Sequence, residues 1–222
     1  MNTFLIAALV AGHTALAAPP AADTIGIARL RYEGGGDWYA NASSLPNLLS
    51  AIRTRTGIPV AAREATVAPL DPALPDQPYL YMTGHGNVSF SPAERAALRA
   101  YLTGGGFLHA DDNYGLNESF RREMAAIFPD AELTEIPADH PIFHVFYDFP
   151  EGIPKIHEHD GNAPQAFGIF YGGRMVVFYS YETDLGDGWE DEGVHDDPPQ
   201  VREQALRMGV NIYLYALGQA AS

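Results

Sequence analysis

Residues 79–113 constrain the fold more than any other part of the chain. Ser91-Pro92-Ala93-Glu94 is a capping box with proline at the first helical position, so a helix starts there. Ala97, Leu98, Tyr101 and Leu102 give that helix an apolar face, and Gly104-Gly105-Gly106 stops it. An apolar run, Tyr79 to Thr83, precedes it and closes with Gly84-His85-Gly86. A second short run, Phe107-Leu108-His109-Ala110, follows and leads into Asp111-Asp112-Asn113-Tyr114-Gly115. A strand–helix–strand unit joined this way places its strands parallel, with a right-handed crossover.

The same alternation runs through the rest of the chain. Ile25 to Arg31 reads as a first strand ending in Gly34-Gly35-Gly36-Asp37-Trp38-Tyr39. Ser43 or Ser44 caps a helix carrying Leu45, Leu48, Leu49 and Ile52, stopped by Gly57. Ile58 to Ala62 reads as a second strand, and the prolines at 69, 72, 75 and 78 demand a loop. Asn117 caps a further helix with Phe120, Met124, Ile127 and Phe128 at helical spacing. Ile142 to Tyr147 reads as a strand. Ala166–Tyr171 and Arg174–Tyr181 flank Gly172-Gly173 as an antiparallel hairpin, and Pro199 opens a long last helix. The expectation is an α/β fold, a three-layer flavodoxin-like sandwich with a mostly parallel sheet and an added antiparallel hairpin.

Composition narrows the function classes. Among 222 residues 46% are hydrophobic and 18% charged, enough for one packed core. There is no cysteine, which removes disulfides, thiolate metal sites and every cysteine nucleophile. The net charge of −15 speaks against nucleic acid and anionic membrane surfaces as partners. Residues 4–18, FLIAALVAGHTALAA, have the length of a signal-peptide core, and Ala15-Leu16-Ala17 fits a cleavage site. The reading is a signal peptide over 1–18, a linker over 19–24 and one domain over 25–218. The mature chain then has no membrane span and is exported, to the bacterial periplasm.

In an open parallel sheet, ligands sit beyond the carboxyl ends of the strands. Four polar segments fall there: 34–39, 84–87, 111–115 and 182–189. Asp111, Asp112 and Glu182 are the candidate catalytic carboxylates, with His85 orienting and Asp184 beside them; capping of the next helix competes with the catalytic role of the aspartates. Asp37, Gly84, Gly86 and Asn113 are candidate ligand-binding positions. Trp38, Tyr39 and Tyr114 suit stacking on a sugar ring and serve equally as core. No cofactor is predicted. A divalent metal at His157-Glu158-His159-Asp160 is the alternative, set against a solvated loop; zinc there needs a third ligand such as Asp111 or His85. Glu182 to Asp197 holds eight acidic residues and no basic one, which reads as a solvated acidic lid. No Gly-x-Ser-x-Gly elbow and no dinucleotide fingerprint occurs.

Several motifs in order carry a family resemblance. They are Ala28-Arg29-Leu30-Arg31-Tyr32, Gly36-Asp37-Trp38-Tyr39, Pro78-Tyr79-Leu80-Tyr81-Met82-Thr83-Gly84-His85-Gly86, Asp111-Asp112, His140-Pro141-Ile142-Phe143-His144 and Gly209-Val210-Asn211-Ile212-Tyr213. On these the chain resembles the domain of unknown function 4159 family. That family is similar in fold to class I glutamine amidotransferases and to the ThuA-like proteins of trehalose utilisation. The resemblance implies that Asp111-Asp112 stand where amidotransferases carry their cysteine elbow, and that the late histidine of those enzymes is missing near Tyr181-Glu182. Thiol-based glutamine hydrolysis is therefore excluded. Two readings follow. One is a cysteine-independent hydrolase binding a small polar or sugar-like ligand; the other is a non-catalytic cell-envelope module that binds a protein partner.

Overall fold

The structure, a computed structural model, describes residues 25–159 and 161–220; the predicted signal peptide and linker lie outside the described residues. The strands are β1 (Ala28–Leu30), β2 (Ala65–Val67), β3 (Tyr79–Gly84), β4 (Phe107–Asp112), β5 (Thr134–Glu135), β6 (Gln165–Tyr171) and β7 (Arg174–Tyr181). They form one sheet in the order β2-β1-β3-β4-β7-β6-β5. The first five of that order pair in parallel, and β6 and β5 complete the edge antiparallel. This is the flavodoxin-like arrangement, with β7 as the fifth parallel strand and its hairpin partner outside it.

Alternation along β3 shows why there are three layers. Tyr79 and Tyr81 face a core built from α1 (Ser44–Thr56), α4 (Leu185–Trp189) and α5 (Pro199–Ala220). Leu80 and Met82 face the opposite core, built from α2 (Pro92–Thr103) and α3 (Asn117–Ile127). Both faces of the strand are buried, as a central parallel strand requires. The capping box of α2 is closed in both directions between Ser91 and Glu94.

Four expectations are corrected. Residues 58–62 make only one bridge, Ile25 with Val60, because Pro59 has no N–H to donate; β2 lies further on, beside β1. Residues 142–147 are no strand: Pro141 starts a single 3-10 turn, Pro141–Phe143, capped by His140 Nδ1 on the Ile142 amide at 3.3 Å. Asn117 is the first residue of α3 and caps nothing; Asp112 accepts the Leu116 amide instead. Finally, the acidic run from Glu182 to Asp197 is solvated only in its second part, 191–197; residues 182–190 are buried. Leu185 and Trp189 are completely buried, and Trp189 Nε1 donates to the Ala205 carbonyl at 2.7 Å. A large indole inside an acidic run drags that run into the core.

Candidate functional site

The carboxyl ends of β1, β3, β4 and β7 share one edge, and the loops leaving them are tied together there. Gly36 donates its amide to the Asn87 carbonyl at 2.9 Å. Asp37 takes the His85 amide on Oδ1, and its Oδ2 lies 3.1 Å from the His85 ring Nδ1. Thr83 bonds Asn113, Asn113 bonds Asn41, and Asn41 bonds Asp187, at 2.9, 2.9 and 2.8 Å. Gly84 permits this closeness, since a Cβ there would stand 2.3 Å from the Tyr32 hydroxyl.

Backbone strain gathers at the same edge. Asn41, Tyr114, Glu182, Asp184 and Asp196 are the non-glycine residues with positive φ among those described, and the first four lie on the segments that leave these strands. Such conformations cost on the order of 1–3 kcal/mol each and persist where the surroundings over-determine them.

The predicted carboxylates differ in what their oxygens already hold. Asp111 is completely buried and saturated. Its Oδ1 accepts from Ser180 Oγ at 2.5 Å and the Leu185 amide at 3.3 Å; its Oδ2 accepts from Tyr81 at 3.1 Å and the Gly186 amide at 2.7 Å. Burial lifts its pKa to about 6, against the pull of those donors. Ser180 belongs to a relay below it: His109 Nε2 stands 2.9 Å from Ser180 Oγ, and Tyr79 stands 3.0 Å from His109 Nδ1. Burial holds His109 neutral, its pKa down at about 3. Asp111 is therefore the anchor that docks the start of α4 onto β4. Asp112 takes the Tyr114 and Leu116 amides at 3.0 Å each and the Tyr179 hydroxyl at 2.9 Å, shaping the turn into α3. Glu182 pairs with Lys155 at 3.0 Å.

Asp184 is different. Its side chain is 1% exposed, and neither oxygen has a hydrogen-bond donor among the described residues. His159 Nε2 stands 2.7 Å from Oδ2, close enough for an ion pair but without the direction of a hydrogen bond. Burial, reinforced by the negative charges of Asp111, Asp187 and Asp112, lifts Asp184 to about 9. Partial burial and the neighbouring His157 lower His159. Both directions favour a neutral carboxyl beside a neutral imidazole at pH 7.

A histidine row completes the rim. The His159 ring lies 5.1 Å from that of His157, which lies 6.2 Å from that of His195. His195 Nε2 is 2.9 Å from Glu190, and its Nδ1 is 3.6 Å from Asp187. Tyr114, half exposed, stacks over His159 at 4.8 Å and 31°. Tyr39 is 65% exposed, whereas Trp38 packs inward against the α2/α3 core. Among the described residues no three His, Asp or Glu side chains form a metal-ligand set, and Asp160 of the His157–Asp160 run lies outside them.

The structure thus brings Asp37, His85, Gly84, Gly86, Tyr114, Glu182 and Asp184 to one rim, with Asp111, Asp112 and Asn113 occupied beneath it. Asp187, His195 and Asn41 join the site unassigned by the sequence, and His159, read there only as a candidate metal ligand, joins it beside Asp184. The alternating His157 and His159 were a visible signal, but nothing in the sequence placed them over β7.

Residues 26–217 match the family described as Domain of unknown function (DUF4159). No curated protein matches the chain.

Proposed function

The chain belongs to the DUF4159 family, and from that premise we propose a function read off the site itself. It binds a small polar ligand at the carboxyl rim and acts on it through Asp184 and His159 as an acid–base pair, a hydrolase that needs no cysteine. One observation carries this reading: Asp184 is a buried carboxyl whose lone pairs no donor among the described residues fills, while its neighbours Asp111 and Asp112 are fully used. A group kept proton-bearing near neutral pH by burial and like charge is suited to general acid–base work.

The two members divide the task by exposure. His159, about a quarter exposed, meets the ligand; Asp184 lies behind it and holds the proton. In hydrolysis the pair takes a proton from water as its oxygen attacks, then returns one to the leaving oxygen or nitrogen. The Tyr114 ring offers a flat apolar face beside the pair, which suits a sugar-like ligand. His85, oriented by Asp37, is a second exposed imidazole on the same rim.

Two further parts of the proposal concern ancestry and location. The parallel strand order and the aspartates at the end of β4 support a likeness in fold to class I glutamine amidotransferases and ThuA-like proteins. The apolar run over 4–18 supports export to the periplasm. Sequencing the amino terminus of the chain recovered from cells tests the second part, and a retained Met1 contradicts it.

A thermal-shift screen of neutral sugars, amides and amines tests the site, with Asp184→Asn and His159→Ala alongside the parent. A ligand that raises Tm only in the parent supports the reading. Stabilisation that survives both substitutions overturns it.

A further inference from the structure

We infer that the ligand taken at this rim carries a cationic nitrogen, an ammonium or guanidinium group, bound by the Asp184 carboxylate. This deepens the acid–base reading above and rests on it.

The orphaned atoms of the rim carry the inference. Thr183 Oγ1 and both oxygens of Asp184 are buried and lack a hydrogen-bond partner among the described residues. Ionised, the Asp184 carboxylate offers acceptors alone, and Thr183 Oγ1 accepts as readily as it donates, so a ligand bearing several donors fits all three. Buried polar groups in native proteins are nearly always paired, and the exceptions point to a ligand or a working group. An anion is the wrong donor-poor partner here, because Asp111, Asp112 and Asp187 already set negative charge around Asp184. Lys155, the cation that acts on Asp184, is itself held by Glu182 at 3.0 Å and by the Asn162 carbonyl at 2.8 Å. A cation from the ligand relieves the crowding of charge that a neutral ligand leaves in place.

The approach to Asp184 is suited to the same chemistry. Tyr114 covers His159 with a half-exposed ring, and aromatic faces attract ammonium and guanidinium groups. The net charge of −15 concentrates cations at the surface. Once the cation sits on Asp184, the carboxyl gives up its proton to solvent, and His159 takes the proton of the attacking water, its imidazolium held by the Asp184 carboxylate, and returns it to the leaving group.

Calorimetric titration of the full chain with methylguanidinium chloride tests this at pH 7, in two buffers of different protonation enthalpy. Methyl glucoside and acetate are the neutral and anionic comparators. The expected result is methylguanidinium binding with release of about one proton, tightening roughly tenfold per pH unit toward pH 9. Asp184→Asn weakens it at least tenfold, while the exposed Glu192→Gln changes it less than twofold. Three outcomes overturn the inference: no binding of methylguanidinium, binding indifferent to Asp184→Asn, or preferential binding of acetate or methyl glucoside. Methyl glucoside binding that depends on Asp184 removes the cation and leaves the acid–base pair standing.

Discussion

Asp184 and His159 stand 2.7 Å apart across the rim of the sheet, the carboxyl buried and the imidazole partly open to solvent. The cost of that arrangement is measurable. Below pH 4 Asp184 carries its proton in both the folded and unfolded chain. As pH rises from about 4 to about 9 the unfolded chain releases the proton while the folded one keeps it, so stability falls across that window. Each pH unit is worth about 1.4 kcal/mol, making the loss several kcal/mol at most. Asp184→Asn removes this dependence. It is expected to raise stability at pH 8 by a few kcal/mol, flatten the pH profile of urea unfolding and abolish ligand response. A variant less stable than the parent at pH 8 contradicts this.

Asp111 is expected to behave in the opposite way when truncated. Asp111→Ala leaves the amides of Leu185 and Gly186 and the hydroxyl of Tyr81 without their acceptor, while Ser180 falls back on the Ala110 carbonyl at 3.2 Å. Buried groups left unpaired cost about 1–3 kcal/mol each. The loss is expected to exceed about 3 kcal/mol in urea unfolding. Amide exchange over 185–189 accelerates before the rest of the chain. Protection unchanged over α4 removes Asp111 from the role of anchor.

Gly186 is fixed by space rather than by backbone angle. A Cβ there would stand 2.5 Å from both Asn41 Nδ2 and the Tyr81 hydroxyl, and 3.1 Å from Asp111 Oδ2. Gly186→Ala is expected to cost about 1–3 kcal/mol by overpacking. It also displaces Asn41 and with it Asp187, so ligand stabilisation drops together with Tm.

Tyr114 separates strain from function. Its φ of 105° disfavours a side chain, yet the ring is half exposed and lies over His159. Tyr114→Gly relieves the backbone and removes the ring. Stability is expected to stay within about 1 kcal/mol of the parent while affinity for the rim's ligand falls. A large loss of Tm assigns Tyr114 to the core instead.

Local rules were legible wherever a few neighbouring residues decide the outcome. The Ser91–Glu94 capping box, the glycine stop at 104–106, the Gly172-Gly173 hairpin and the parallel unit from β3 to β4 all follow from short-range chemistry. Packing partners distant in sequence decided the rest. Trp189 pulls an acidic segment under α1 and α5 because of what those helices present, and no property of residues 182–189 alone announces it. The same holds for the carboxylates. Asp111-Asp112 looked poised for chemistry at a strand end, but donors from Tyr81, Ser180, Tyr179 and the 185–186 backbone occupy them. Asp184, three residues past the end of β7 and in a left-handed conformation, is left without such donors among the described residues.

Carbon-13 labelling of the aspartate carboxyls, followed by NMR from pH 3 to pH 10, reads the protonation of Asp184 directly. One resonance, absent from Asp184→Asn, is expected to titrate near pH 9, well apart from the other aspartates. If no aspartate carboxyl titrates above about pH 8, the proton-bearing group at the rim does not exist and the proposed pair has no acid.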